Sequence, residues 1–105
     1  MIEVKVNPGI CGMDTCINIE SEDMQTASIA IDSDCQFIRA IASELNEVDA
    51  YTECFSKFGD SEVYTLAKKY CKHPSCPIPS AIIKGIEIAC GLALPKDVEI
   101  KIAKK

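Results

Sequence analysis

Residues Thr15–Leu45 read T-C-I-N-I-E-S-E-D-M-Q-T-A-S-I-A-I-D-S-D-C-Q-F-I-R-A-I-A-S-E-L. In the first half the apolar residues recur every second position. Ile17 and Ile19 alternate with Asn18 and Glu20, and after an E-D-M turn Ala27, Ile29 and Ile31 share one side of a strand running from Gln25. Side chains on a strand alternate between faces, so each segment predicts a half-buried strand. At Asp32 the period changes. Ile38, Ile41, Ala42 and Leu45 fall on one helical stripe, with Ser33 or Asp34 as its N-cap and Cys35 in its first turn.

Working outward, I-E-V-K-V (Ile2–Val6) is another alternating strand, ended by N-P-G, where Pro8 lacks an amide proton and Gly9 admits unusual backbone angles. Downstream, D-A-Y-T-E-C-F-S-K-F sets Tyr51, Cys54, Phe55 and Phe58 at helical spacing up to Gly59. Asp60 or Ser61 caps a shorter helix ending near Tyr70, and Ser80 opens a longer one whose Ile82, Ile83, Ile86, Ala89 and Cys90 share a face before Gly91. A last alternating run, V-E-I-K-I (Val98–Ile102), is expected to extend the same sheet. The expected fold is α+β: an antiparallel meander of three strands plus a C-terminal strand, with helices on one face.

The chain of 105 residues is 48% apolar and 26% charged, a balance that favours one folded domain over residues 1–105. A net charge of -5 and a single arginine, Arg39, weigh against nucleic acid, which requires clustered cations. No apolar run approaches the roughly 20 residues of a membrane span, and M-I-E-V-K-V-N-P-G lacks the basic and apolar regions of an export signal. The expectation is a cytoplasmic protein whose seven cysteines stay largely reduced. The oligomeric state is left open.

Cys54 and Cys90 lie on apolar helix stripes, where free cysteine packs as a small hydrophobe. Cys16 belongs by strand parity to the polar face. The other four occupy junctions: Cys11 in the N-P-G loop, Cys35 at a helix start, and Cys71 and Cys76 in C-K-H-P-S-C-P-I-P beside the only histidine, His73. Thiolate ligands need no sequence proximity if their loops converge, so these junctions suit a soft metal. A proline-stiffened turn is the structural alternative for the last motif.

Taken in order, G-I-C-G-M-D, D-C-Q-F-I and H-P-S-C-P resemble the NifU/IscU-type iron-sulfur scaffolds. The P-S-C-P step and its following helix resemble the TSCPD-type cysteine module. The scaffold resemblance implies Cys11, Cys35 and Cys76 as ligands of an iron-sulfur cluster or zinc, with Cys71 or His73 as the fourth. It also implies a sulfur donor or an acceptor apoprotein as partner. Met13 stands where that family has aspartate, and its proline-rich chaperone motif is absent. C-P-I-P-S-A-I followed by G-L-A-L-P-K-D-V is more similar to an uncharacterised family of short cysteine-bearing proteins from anaerobic bacteria and archaea.

Two other classes compete with metal binding. In one, Cys35 is a metal-free reactive thiolate at a helix N-terminus and a second cysteine resolves it. In the other, the cysteines only fill core and loops of an interaction protein. An enzyme is the least favoured class, because one histidine, no G-x-S-x-G and no phosphate loop leave no nucleophile-base set.

Overall fold

Ile2–Val6 (β1), Thr15–Glu20 (β2) and Thr26–Ser33 (β3) are strands of one antiparallel sheet in the computed structural model, which describes residues 1–105. The register sets Ile2 opposite Ile19 and Val4 opposite Ile17, then Ile17 opposite Ile31 and Ile19 opposite Ile29. Every apolar residue of the alternation thereby falls on one side. A one-residue slip would turn the whole set into water, so this burial pins the register.

The fourth strand differs from expectation. Glu47–Asp49 (β4) pairs antiparallel with β3, completing the order β1-β2-β3-β4, whereas Val98–Ile102 forms no strand. Three residues are too few to display a period, but Val48 seats opposite Ala27 and is buried. Flanking bonds from the Ile29 amide to the Asn46 carbonyl (2.8 Å) and from the Ala50 amide to the Gln25 carbonyl (2.7 Å) extend the ladder.

Four helices cover the apolar side: α1 (Gln36–Glu44), α2 (Ala50–Phe55), α3 (Glu62–Tyr70) and α4 (Ile78–Ala89). The central contact is α4 on β1 and β2, where Ile82 and Ile86 meet Ile17 and Ile19 in one core cluster, all four without solvent exposure. Burying each such isoleucine stabilises the fold by about 1.5–3 kcal/mol. Gly85 makes the approach possible: a Cβ there would lie 2.6 Å from Ile19 Cδ1 and 3.1 Å from Val4 Cγ2.

Caps set the helix starts. Ser61 accepts from the Tyr64 amide (3.3 Å), as its place before α3 predicts. For α1 the N-cap position is Cys35 itself, one residue later than expected, because β3 runs on through Ser33. Ser33 Oγ accepts from the Cys35 amide (3.1 Å) and bonds Thr15 Oγ1 (2.7 Å), tying the turn to β2.

The reading of α2 needs correction. It stops at Phe55, and Tyr51, Phe55 and Phe58 are exposed, with Tyr51 and Phe55 stacked at 6.1 Å. The inward side carries Ala50 and, against expectation, Glu53, which is 5% exposed. Its carboxylate accepts from the Glu62 amide (3.0 Å) and the Val63 amide (2.9 Å), so it caps α3 from a neighbouring helix. No helix is long and apolar enough to cross a membrane.

Candidate functional site

The β1–β2 loop, the β3–α1 turn and the α3–α4 connection carry the junction cysteines. In the first, Asn7 Oδ1 accepts from the Gly9 amide (3.1 Å) and the Gly9 carbonyl from the Gly12 amide (2.9 Å), closing a tight turn around Cys11. Gly12 has φ +67, which a side chain would resist. The loop's far end is joined to the second junction, since the Asp34 amide donates to the Asp14 carbonyl (3.2 Å). Cys11 itself is exposed, beside exposed Ile10 and Met13.

Cys71 is the C-cap of α3, its amide donating to the Ala67 carbonyl (2.8 Å). The chain then turns sharply, with the Cys76 amide donating to the His73 carbonyl (3.1 Å). Pro77 precedes α4 and Pro79 stands in its first turn, where a missing amide proton costs nothing. This short, stiff connection brings Cys76 back beside Cys71.

Burial pushes the Cys71 thiol up to about 11; neighbouring Cys76, and then Cys35, push the same way. Three of the five expected site residues, Cys35, Cys71 and Cys76, are thus electrostatic neighbours, all half-buried against the core. Cys11 and His73 are exposed and are not among the groups acting on Cys71. The thiols are not closed around one point: no three His, Cys, Asp or Glu side chains are disposed to hold a single metal ion.

At the same end of the sheet, a shallow cleft of about 470 Å³ runs between the first two junctions, with Lys5, Asp14, Cys16 and Asp34 among its walls. Cys16 lies on the open face, as strand parity predicts, with Glu3 and Asn18 as neighbours.

A second thiol pair escaped sequence reasoning. Cys54 on α2 faces Cys90 at the end of α4, and Cys54 is pushed up to about 11 by burial first, then by Glu87, Cys90 and Glu53. Both were expected in the core individually. Their meeting depends on α2 packing against α4, which no local period reveals.

The model of a family of unknown function, DUF6951, matches residues 2–102. The chain belongs to DUF6951. An uncharacterised family agrees with the likeness carried by C-P-I-P-S-A-I and G-L-A-L-P-K-D-V. No curated protein and no solved structure matches the chain. The DUF6951 match takes in all four strands, all four helices and the segment through Ile102.

Proposed function

We propose that this chain is a small metal or iron-sulfur binding protein in which Cys35, Cys71 and Cys76 supply thiolate ligands, with Cys11 or His73 completing the set. The observation that carries this reading is the environment of Cys71. Besides burial, what opposes its ionisation is the nearness of two other cysteines, Cys76 and then Cys35. Each of the three is a soft donor, suited to zinc or iron. A bound cation reverses the local acid-base logic, since it stabilises together the thiolates that repel one another without it.

The donor set fits such a group in kind, and loading requires the three side chains to close on a common point. Cys11 and His73 ride on exposed loops, so a ligand from either would leave the metal near solvent. That suits transfer to an acceptor apoprotein, or loading from a sulfur donor, in a reducing cytoplasm. The likeness of Cys11, Cys35 and Cys76 to the stations of NifU/IscU-type scaffolds, and of P-S-C-P to the TSCPD-type module, supports metal binding at this end of the molecule.

Anaerobic purification followed by metal and sulfide analysis tests it. Bound zinc, or iron with sulfide, is expected at a fixed ratio, with protons released on reloading the apoprotein. Serine at Cys35, Cys71 or Cys76 should abolish binding. A protein free of metal that takes up neither zinc nor iron ends the proposal.

The neighbouring thiols of Cys71 and Cys76 favour one second reading, a metal-free dithiol. Oxidised glutathione would accept two electrons and two protons as the pair closes to a disulfide, which peptide mapping detects. In this reading the working pair is Cys71–Cys76, with Cys35 beside it.

A further inference from the structure

Val98–Ile102, V-E-I-K-I, repeats the alternation of β1, I-E-V-K-V, in a different setting. Past Leu92 no residue takes part in a backbone hydrogen bond. Val98, Ile100 and Ile102 are 57%, 75% and 91% exposed. These three β-branched residues form an apolar row in water, with their backbone unpaired. At the other end of the chain, β1 is an outer strand, so one side of its backbone also lacks a partner. Unpaired strand edges template the pairing of another strand.

We propose that Val98–Ile102 of one copy adds antiparallel to the β1 edge of a second copy, reciprocally, to make a two-fold symmetric dimer. Charge selects the direction. With Val4 opposite Ile100, antiparallel addition sets Ile2, Val4 and Val6 beside Ile102, Ile100 and Val98, while Glu3 meets Lys101 and Lys5 meets Glu99. Parallel addition would set Glu3 against Glu99 and Lys5 against Lys101, and like charges directly across a sheet are destabilising.

The same register puts the apolar row where it can be covered. Ile2, Val4 and Val6 face the helix layer, Val4 lying under Gly85, but all three are only half-buried because nothing flanks them on the outer side. The added strand supplies that flank. On the open face, Glu3 now pairs with Lys5 of its own strand at 3.7 Å, and Glu99 with Lys101 at 3.8 Å. Strand addition exchanges these for pairs between strands.

The partner is a second copy and not the same chain. Beyond Ala93 the backbone has no turn or bend, so the segment leaves the body without returning along its own β1, and the molecule measures 45 Å in one direction against 28 and 25 Å. A closed, reciprocal exchange satisfies both edges at once.

Sedimentation equilibrium of the reduced full chain tests the proposal, with twice the 11.4 kDa chain mass expected. Ile100→Lys should raise the dissociation constant at least about tenfold, since burying one isoleucine is worth more than the energy of a tenfold change. Ile100 is three-quarters exposed, so this variant should keep the monomer fold, read by circular dichroism. Lys101→Glu should weaken the dimer a few-fold, and Glu3→Lys combined with Lys101→Glu should restore it. Carbodiimide coupling in a mixture of ¹⁵N-labelled and unlabelled chains should join Glu3 to Lys101 between unlike copies. A monomer at every concentration overturns the proposal; so does a dimer indifferent to Ile100→Lys, or coupling confined to single chains.

Discussion

Cys71 and Cys54 have nearly the same acidity and different prospects. Both are half-buried, both are pushed up to about 11, and burial is the largest cause for each. They part at the second cause. Around Cys71 the next influences are the thiols of Cys76 and Cys35, whereas around Cys54 they are Glu87, then Cys90 and Glu53. The Glu53 carboxylate already holds two amides of α3, and Cys90 is only 3% exposed. One group is a set of soft donors at chain junctions. The other is a corner of the core with its polar partner already committed. A raised thiol pKa therefore does not identify a site by itself; the neighbours that raise it do.

The largest expected effect separates the two groups outright. Cys71→Ser should remove bound metal from anaerobically purified protein, while Cys54→Ser should leave the metal-to-protein ratio unchanged. Equal loss in both variants would erase the distinction.

Next is reactivity. Iodoacetamide at pH 8 should label exposed Cys11 first, with Cys54 and Cys71 slower by about a hundredfold, because so little of either is thiolate about three units below its pKa. Mass spectrometry of timed digests measures the order.

Glu53→Gln sharpens the comparison from the other side. An amide has one acceptor oxygen where the carboxylate has two, so α3 loses a cap bond at a cost of about 1–3 kcal/mol, read from the urea midpoint. Removing that charge should also lower the Cys54 pKa and leave Cys71 where it is. A matching fall at Cys71 would mean the two groups are not independent.

The smallest effect is on alkaline stability. A thiol whose folded pKa is raised holds its proton after the unfolded chain has begun to lose it. Metal-free protein should therefore lose stability as pH climbs from about 9 towards 11, and show no such dependence below pH 8. Urea midpoints across that range check the sign.

The α+β architecture was legible because its signals are periodic. Ile17, Ile19, Ala27 and Ile29 alternate, Ile38 and Ile41 follow a helical stripe, and the change of period at Asp32 marks where the meander gives way to α1. Pairing is another matter. I-E-V-K-V and V-E-I-K-I carry the same pattern, yet one is strand β1 and the other has no partner within the chain, while unpatterned Glu47–Asp49 supplies the fourth strand. Alternation specifies which face is apolar and says nothing of which edge it joins. In α2, hydrophobic spacing pointed to Tyr51, Phe55 and Phe58, but after six residues the helix ends and the inward side goes to Glu53, whose two amide partners lie nine and ten residues away. For the cysteines, junction positions were readable from turn and cap residues. That reading joined Cys11, Cys35 and Cys76, with Cys71 or His73 as the fourth; loop composition carries no distances, and in the fold Cys35 and Cys76 neighbour Cys71 while Cys11 and His73 are exposed.

The clamp made by Glu53 gives the molecule a seam. The link between α2 and α3 passes through exposed Lys57 and Phe58, but the helices are also held by a buried carboxylate and by the packing of α1 on α3 and of α2 on α4. A protease that cuts after Lys57 would sever the backbone without parting the pieces. The two fragments should elute together from a sizing column as one nicked protein and come apart only in denaturant.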